Sequence, residues 1–469
     1  MIALLAAGFA PAQDRPPVPR TKIQQEQDQQ RQASSADSLT PAQDQDPAEE
    51  SYAGPSVLSR DKSLLAQRRG KLVDFRLYGE IMGVYDSGLT PLAAAAPSPA
   101  GNQVSDFGLE SGVGVIGSRR WKTARLSLEY HGRYLHYRKN TLLNGSDQFL
   151  DLAYSRAIRR HWILDLKELA GTTTLANGEF TYLSLSNTDL FALPANDLFD
   201  VRTNYFESRT SVIWQKSERL SFDLGGEGFL VRRQSLALAG LDGYGARAGL
   251  AYRLTRRQTI TAAYQHIYFD FQRAFGNAGV DTAGLGYAVA LTRRLDFAMQ
   301  IGGSRVDTLG LTRVTLDPAI AAVVGQNIAI VTFARTSYIP LLEARLTQRF
   351  RHSALLAGYI SGITPGNGVY LTSRQRAATA GFTYAGLARF TLALSASYND
   401  LSTLGQTLPN YTNLQGGGGL TYRLLADTYL ELRYDYRHYT TQHLIFQKDS
   451  NRVSFGLAFS PGAAPLAIW

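Results

Sequence analysis

The chain has 469 residues, with 48 Lys and Arg against 39 Asp and Glu and no cysteine. That length suits two or three globular domains or one large barrel, and the missing thiols exclude a disulfide scaffold, a thiolate metal site and a thiol nucleophile. The net charge of +9 is spread along the chain and not gathered in a patch, which argues against a nucleic-acid partner.

In chain order, residues 2–10 (IALLAAGFA) form a short apolar run that ends in Ala10-Pro11-Ala12. An apolar run closed by A-x-A is the pattern of a secretory signal, with cleavage expected after Ala12. The basic stretch that should precede it is missing, so either the true start lies upstream or the apolar start is coincidental. Residues 13–70 are rich in Gln, Asp, Pro, Ser and Ala and almost without aromatics. Such a segment cannot bury enough apolar surface to order itself, and it reads as a disordered periplasmic linker.

From Leu72 onward the signal is period two. The clearest segment is YLELRYDYRHY, residues 429–439, where Leu430, Leu432, Tyr434 and Tyr436 alternate with Glu431, Arg433, Asp435 and Arg437. Successive side chains of a strand point to opposite faces, so one face here is apolar and the other charged. Leu126, Leu128, Tyr130 and Tyr134 alternate in the same way with Arg125, Glu129, His131 and Arg133. So do Leu220, Phe222 and Leu224 against Asp223 and Glu227, and the even positions from Tyr244 to Leu254 against Arg247 and Arg253. Abundant Tyr (25) and Gly (43) with only 3 Met fits a wall of strands with aromatic girdles better than a helix bundle.

The breaks between strands follow their own order. Short basic or polar turns fall at Ser118-Arg119-Arg120, Arg159-Arg160, residues 215–218, Thr255-Arg256-Arg257, Thr292-Arg293-Arg294, residues 348–351, Ala385-Gly386-Leu387 and Ala426-Asp427. Between successive short turns lies a longer connection, the longest being Asp86 to Val104, Gly171 to Asp200 and Asp307 to Ala334. Eight short turns imply nine hairpins, hence an all-β fold: a transmembrane antiparallel barrel of about 18 strands over residues 71–460, with 461–469 as a tail. Sixteen is the alternative count, because parity is ambiguous in Thr259 to Phe271 and in Thr372 to Tyr384. A soluble sandwich would have to pack the charged faces into a dry core, at large cost.

The charged faces supply the candidate site. Facing one side of the wall are Arg76, Arg125, Glu129, Arg133, Glu207, Arg209, Asp223, Glu227, Arg247, Glu343, Arg345, Glu431, Arg433, Asp435 and Arg437. Acids and bases nearly balance, so the expectation is pairing across neighbouring strands that stiffens the wall and holds a hydrated interior. The sharper reading is an arginine-lined passage for anions or acidic glycans. The seven histidines show no metal-ligand spacing, and no catalytic constellation, metal site or cofactor motif emerges.

In this pattern, and in the terminal strand RVSFGLAF with Val453, Phe455, Leu457 and Phe459 on one face, the chain resembles bacterial outer-membrane β-barrels of the porin-like class. One departure is that Phe459 stands ten residues from the end. The resemblance implies an outer-membrane location among its lipids and an aqueous pore for passive transport of small polar or anionic solutes, without a chemical step. Its alternatives are a polysaccharide-export porin with periplasmic partners bound through the linker, or a structural or adhesive barrel with a plugged lumen. In general porins one long connection folds inward as a constriction; residues 171–200 are long enough to do so, the alternative being that they merely extend the hairpin above the membrane.

Overall fold

The computed structural model describes residues 73–88, 105–141, 144–159, 161–174, 202–236, 238–317, 321–323, 325–387, 389–404, 408–441 and 446–461. The signal and linker expected at 1–12 and 13–70, most of the connection 171–200, and most of the tail from 461 lie outside the described residues.

Eighteen strands run from β1 (Val73–Asp86) to β18 (Phe446–Phe459). Each pairs antiparallel with its neighbours in sequence, and β1 pairs with β18 to close the wall. Closure leaves no edge along the ring, the condition a sheet must meet to cross a membrane. The eighteen-strand count is therefore the correct one. The two segments of ambiguous parity are the single strands β9 (Gln258–Asp270) and β14 (Ser373–Tyr384).

All eight predicted short turns join strands at one rim. Three of them share a local device. The hydroxyl of Ser217 accepts from the N–H of Arg219 (3.2 Å) and of Leu220 (3.1 Å). Thr255 and Thr292 accept in the same way from Arg257 and Arg294, both at 3.2 Å. A hydroxyl that satisfies a turn N–H two residues on is what suits Ser and Thr to such corners.

The other rim departs from the sequence reading in two places. The connection after β9 is only residues 271–275, so the alternation of short and long is not strict. The connection expected over Asp307 to Ala334 is largely strand, because β11 (Leu295–Thr315) and β12 (Ile328–Arg349) continue as a ribbon paired from Leu295↔Gln348 to Thr315↔Ile328. The β-branched and aromatic residues of TRVT and IAIVTF keep that ribbon extended.

Face assignment follows from burial. In β1, Ile81 is 62% exposed and its neighbour Met82 7%. The outward face carries Val113, Leu224, Leu285 and Phe455, all exposed. Aromatics gather on this face near both rims. Trp162 stacks on Trp214 (5.8 Å) and Trp214 on Phe222 (5.3 Å) beside the short turns. Tyr85 packs on Phe107 (4.8 Å) and Tyr244 on Tyr268 (5.4 Å) toward the other rim. Two aromatic girdles around an apolar band mark the two faces of a bilayer.

Candidate functional site

The inward face has two levels, and each is built by strand parity. At mid-wall lies a charged belt. All fifteen residues singled out above stand on the parity opposite the exposed hydrophobics, and the structure joins several of them. Arg209 of β6 (Arg202–Gln215) places Nη2 2.9 Å from Glu207 and 3.0 Å from Glu227 of β7 (Leu220–Arg233). Gln265 of β9 donates to the other Glu227 oxygen at 2.9 Å. Arg247 of β8 (Leu241–Thr255) lies 3.5 Å from Asp223. In β17 (Thr428–Thr441), Arg433 Nε lies 2.9 Å from Asp435 on the same face.

Arg133 of β3 (Ala124–Tyr137) reaches Glu110 at 3.0 Å and Glu80 at 4.0 Å. Glu110 in turn is shared with Arg452 of β18, whose Nε lies 3.9 Å from Asp86 of β1. The Tyr137 hydroxyl donates to Asp86. This lattice ties β18, β1, β2 (Asp106–Arg120) and β3 across the point where the chain's ends meet. Of its members Arg133 was singled out in the sequence, and Glu110, Arg452, Asp86 and Tyr137 were missed. Their parity was readable: Glu110 alternates with Leu109, and Arg452 precedes Val453.

The remaining members stand on the same inward face. Glu431 and Arg437 are buried at 2% and 6% exposure. Arg76, Arg125, Glu129, Glu343 and Arg345 are half-buried on the same face. His131, expected beside Glu129, stacks on Phe149 with ring centres 5.0 Å apart. From β9 to β16 (Tyr411–Arg423) the belt is mainly neutral. Thr282 and Ser304 share a hydrogen bond of 2.8 Å, Gln375 donates to Asn399 at 3.1 Å, and Ser397 donates to Gln415 at 3.3 Å.

Above the belt, toward the rim of longer connections, the inward face turns apolar. Phe149, Leu169, Tyr205, Phe229, Ile267, Phe269, Val280 and Val306 form one buried cluster contributed by β4 (Gly145–Arg159) through β11. Tyr411 and Tyr439, stacked at 6.4 Å, continue it with Leu401 and Tyr370 on the other side. The sequence reading assumed a polar inward face along the whole strand and missed this collar.

The collar is covered by a connection that folds inward, residues 365–372 between β13 (Ser353–Thr364) and β14. Asn367 is fully buried and Tyr370 is 3% exposed. The local sequence Pro365-Gly366-Asn367-Gly368 explains the shape. The Asn367 side-chain oxygen accepts from the N–H of Val369 (3.3 Å) and of Tyr370 (3.1 Å), an Asx-type turn. Gly366 and Gly368 have φ of 78° and 91°, a region that side chains disfavour. A Cβ on Gly366 would sit 1.6 Å from the Tyr370 carbonyl oxygen.

This loop spans the mouth. The Gly368 carbonyl accepts from Ala239 N–H at 3.1 Å, in the β7–β8 connection five strands away. The Tyr370 hydroxyl donates to the Pro409 carbonyl at 2.8 Å, in the β15–β16 connection. Leu371 packs on the collar. Tyr370 lies outside the strands, and burial pushes its phenol up to about 12.

A closed ring of eighteen antiparallel strands, apolar outside between two girdles and charged at mid-wall inside, is a transmembrane β-barrel of the outer-membrane, porin-like class. No protein-family model matches the chain, and no curated protein matches it. Solved structures to which it is similar include OpdQ of Pseudomonas aeruginosa, at 10% identity and a TM-score of 0.39, over 83% of this chain and 97% of that one. OccAB1 of Acinetobacter baumannii gives 10% identity and a TM-score of 0.39, over 83% and 96%. A BenF-like porin from Pseudomonas fluorescens gives 10% identity and a TM-score of 0.42, over 83% and 99%. The assignment to the class rests on the wall itself.

Proposed function

We propose that this protein is an aqueous pore that conducts small polar solutes across the outer membrane down their gradients, without a chemical step. The observation that carries the reading is the mid-wall belt. Charged side chains such as Arg209, Glu227, Arg247 and Asp223 are expensive in a dry interior and cheap beside water. An eighteen-strand ring is wide enough to hold an aqueous channel between them. In this reading the fifteen inward residues named above line the path, the short turns face the periplasm, and residues 1–12 direct export. The loop across the mouth favours small solutes over a polymer. Purified protein in a planar bilayer should give discrete conductance steps. A correctly folded, heat-modifiable preparation that inserts and gives none would refute the pore.

A further inference from the structure

The collar and the belt meet in one place. On the β7–β13 side the interior holds a cavity of about 140 Å³. Its floor is polar and charged, with Arg247, Asp223, Glu343, Gln265, Thr282 and Ser304, and its roof is apolar, with Ile267, Phe269, Val280 and Ile363. The roof is firmly packed. Phe269 is fully buried, and its ring lies 5.9 Å from that of Phe229. That volume is close to what one benzene-sized body needs.

A strongly hydrated solute that rises from the belt into this roof loses water contacts, and Ile267, Phe269 and Val280 offer no donor or acceptor in exchange. A solute with a compact apolar body keeps its polar end on Gln265, Thr282 or Arg247 while the body replaces water at the roof. From this, the geometry points to a selectivity site for amphipathic small molecules: one hydrogen-bonding or charged end, and one apolar body of about six heavy atoms or fewer. The inference rests on the pore reading and adds the solute class to it. It places selection at the junction of belt and collar, and not in the net charge of the wall.

The test uses a pair of solutes of equal charge and nearly equal size, L-leucine and L-asparagine, in uptake by proteoliposomes that carry the full-length protein. Leucine should enter about tenfold faster, the scale at which an apolar pocket separates side chains. Phe269→Ser should bring the two rates together. The near-isosteric Val280→Thr should narrow the ratio with less risk to folding, and heat-modifiability would report insertion of both. Equal rates in the unmodified protein, or faster asparagine, would overturn the site while leaving the pore intact. Ion current without uptake of either amino acid would overturn it too, since the collar would then be a barrier to all such solutes. Absence of both current and uptake would remove the pore reading and this inference with it.

Discussion

The belt and the collar share the same strands and the same inward parity, yet they are built from opposite chemistry. At the belt, Arg209 is held by Glu207 and Glu227. A few residues further along, the adjacent inward positions are Tyr205 and Phe229, both under 5% exposed. In β9, Gln265 belongs to the belt and Ile267 and Phe269 to the collar. The difference shows that a barrel's inward face need not be uniformly wet. It is charged where side chains pair across neighbouring strands, and apolar where connections fold in and give the side chains something to pack on. In the pore reading, the belt sets the field along the path and the collar sets what fits.

Four measurements would break or sharpen that comparison. The largest effect is expected at the loop that covers the collar. Gly366→Val places a branched side chain at φ 78° and into the Tyr370 carbonyl. The loop should leave the mouth, and single-channel conductance should rise several-fold. Unchanged conductance in an inserted variant would mean that the loop does not narrow the path.

Next comes the face assignment on which both levels depend. Leu432 is 45% exposed beside Glu431 at 2%. Leu432→Arg should destabilise the barrel by about 2–4 kcal/mol if the residue lies at mid-bilayer. Single cysteines at 432 and 433 would check it in this cysteine-free chain. A reagent confined to water that reacts at 432 and spares 433 would invert the wall.

A smaller effect is expected in the belt. Glu227→Gln keeps the shape but removes the carboxylate shared by Arg209 and Gln265. The expected cost is about 1–3 kcal/mol in urea unfolding, with the reversal potential shifting toward anion preference. An unmoved reversal potential would mean that the path does not pass this wall.

The smallest effect is in pH. The Tyr370 phenol is raised from 10.0 to about 12 in the closed loop. A raised value means that the closed form holds the proton more tightly than the released form. The contribution to closure is therefore complete below pH 10 and is lost as pH rises toward about 12. Conductance should climb over that window, and Tyr370→Phe should flatten the climb. A wild-type profile that stays level through the window would count against burial of the phenol.

How much of this was legible depends on which physics wrote each part. Parity was, because one face meets lipid and every second residue must comply: Leu430, Leu432 and Tyr434 alternate visibly with Glu431, Arg433 and Asp435. The eight short turns were, because each needs its own small, polar chemistry. The collar was not, because it fills the inward positions of strands whose outward positions are already apolar. In IYF, residues 267–269, both faces are hydrophobic, so period two vanishes. The ambiguous parity of Thr259 to Phe271 was the collar's own signature. The inward loop was missed for another reason. Pro365-Gly366-Asn367-Gly368 announces a turn, but its direction is decided by Ala239 and Pro409, far away in the chain.

The junction of β18 with β1 has a consequence in time. The other seventeen junctions of the ring join neighbours in sequence, so each can form as soon as its own hairpin exists. The last one pairs Gly79 with Phe459, over eight residue pairs only. Closing a loop of that length costs about 3 kcal/mol more entropy than closing a hairpin, and such non-local contacts are slow to form. Until β18 arrives the molecule is an open sheet with two bare edges, and Arg452 has neither Asp86 nor Glu110 beside it. Assembly therefore has a built-in order, in which the final strand carries both the missing edge and the charge that clasps it.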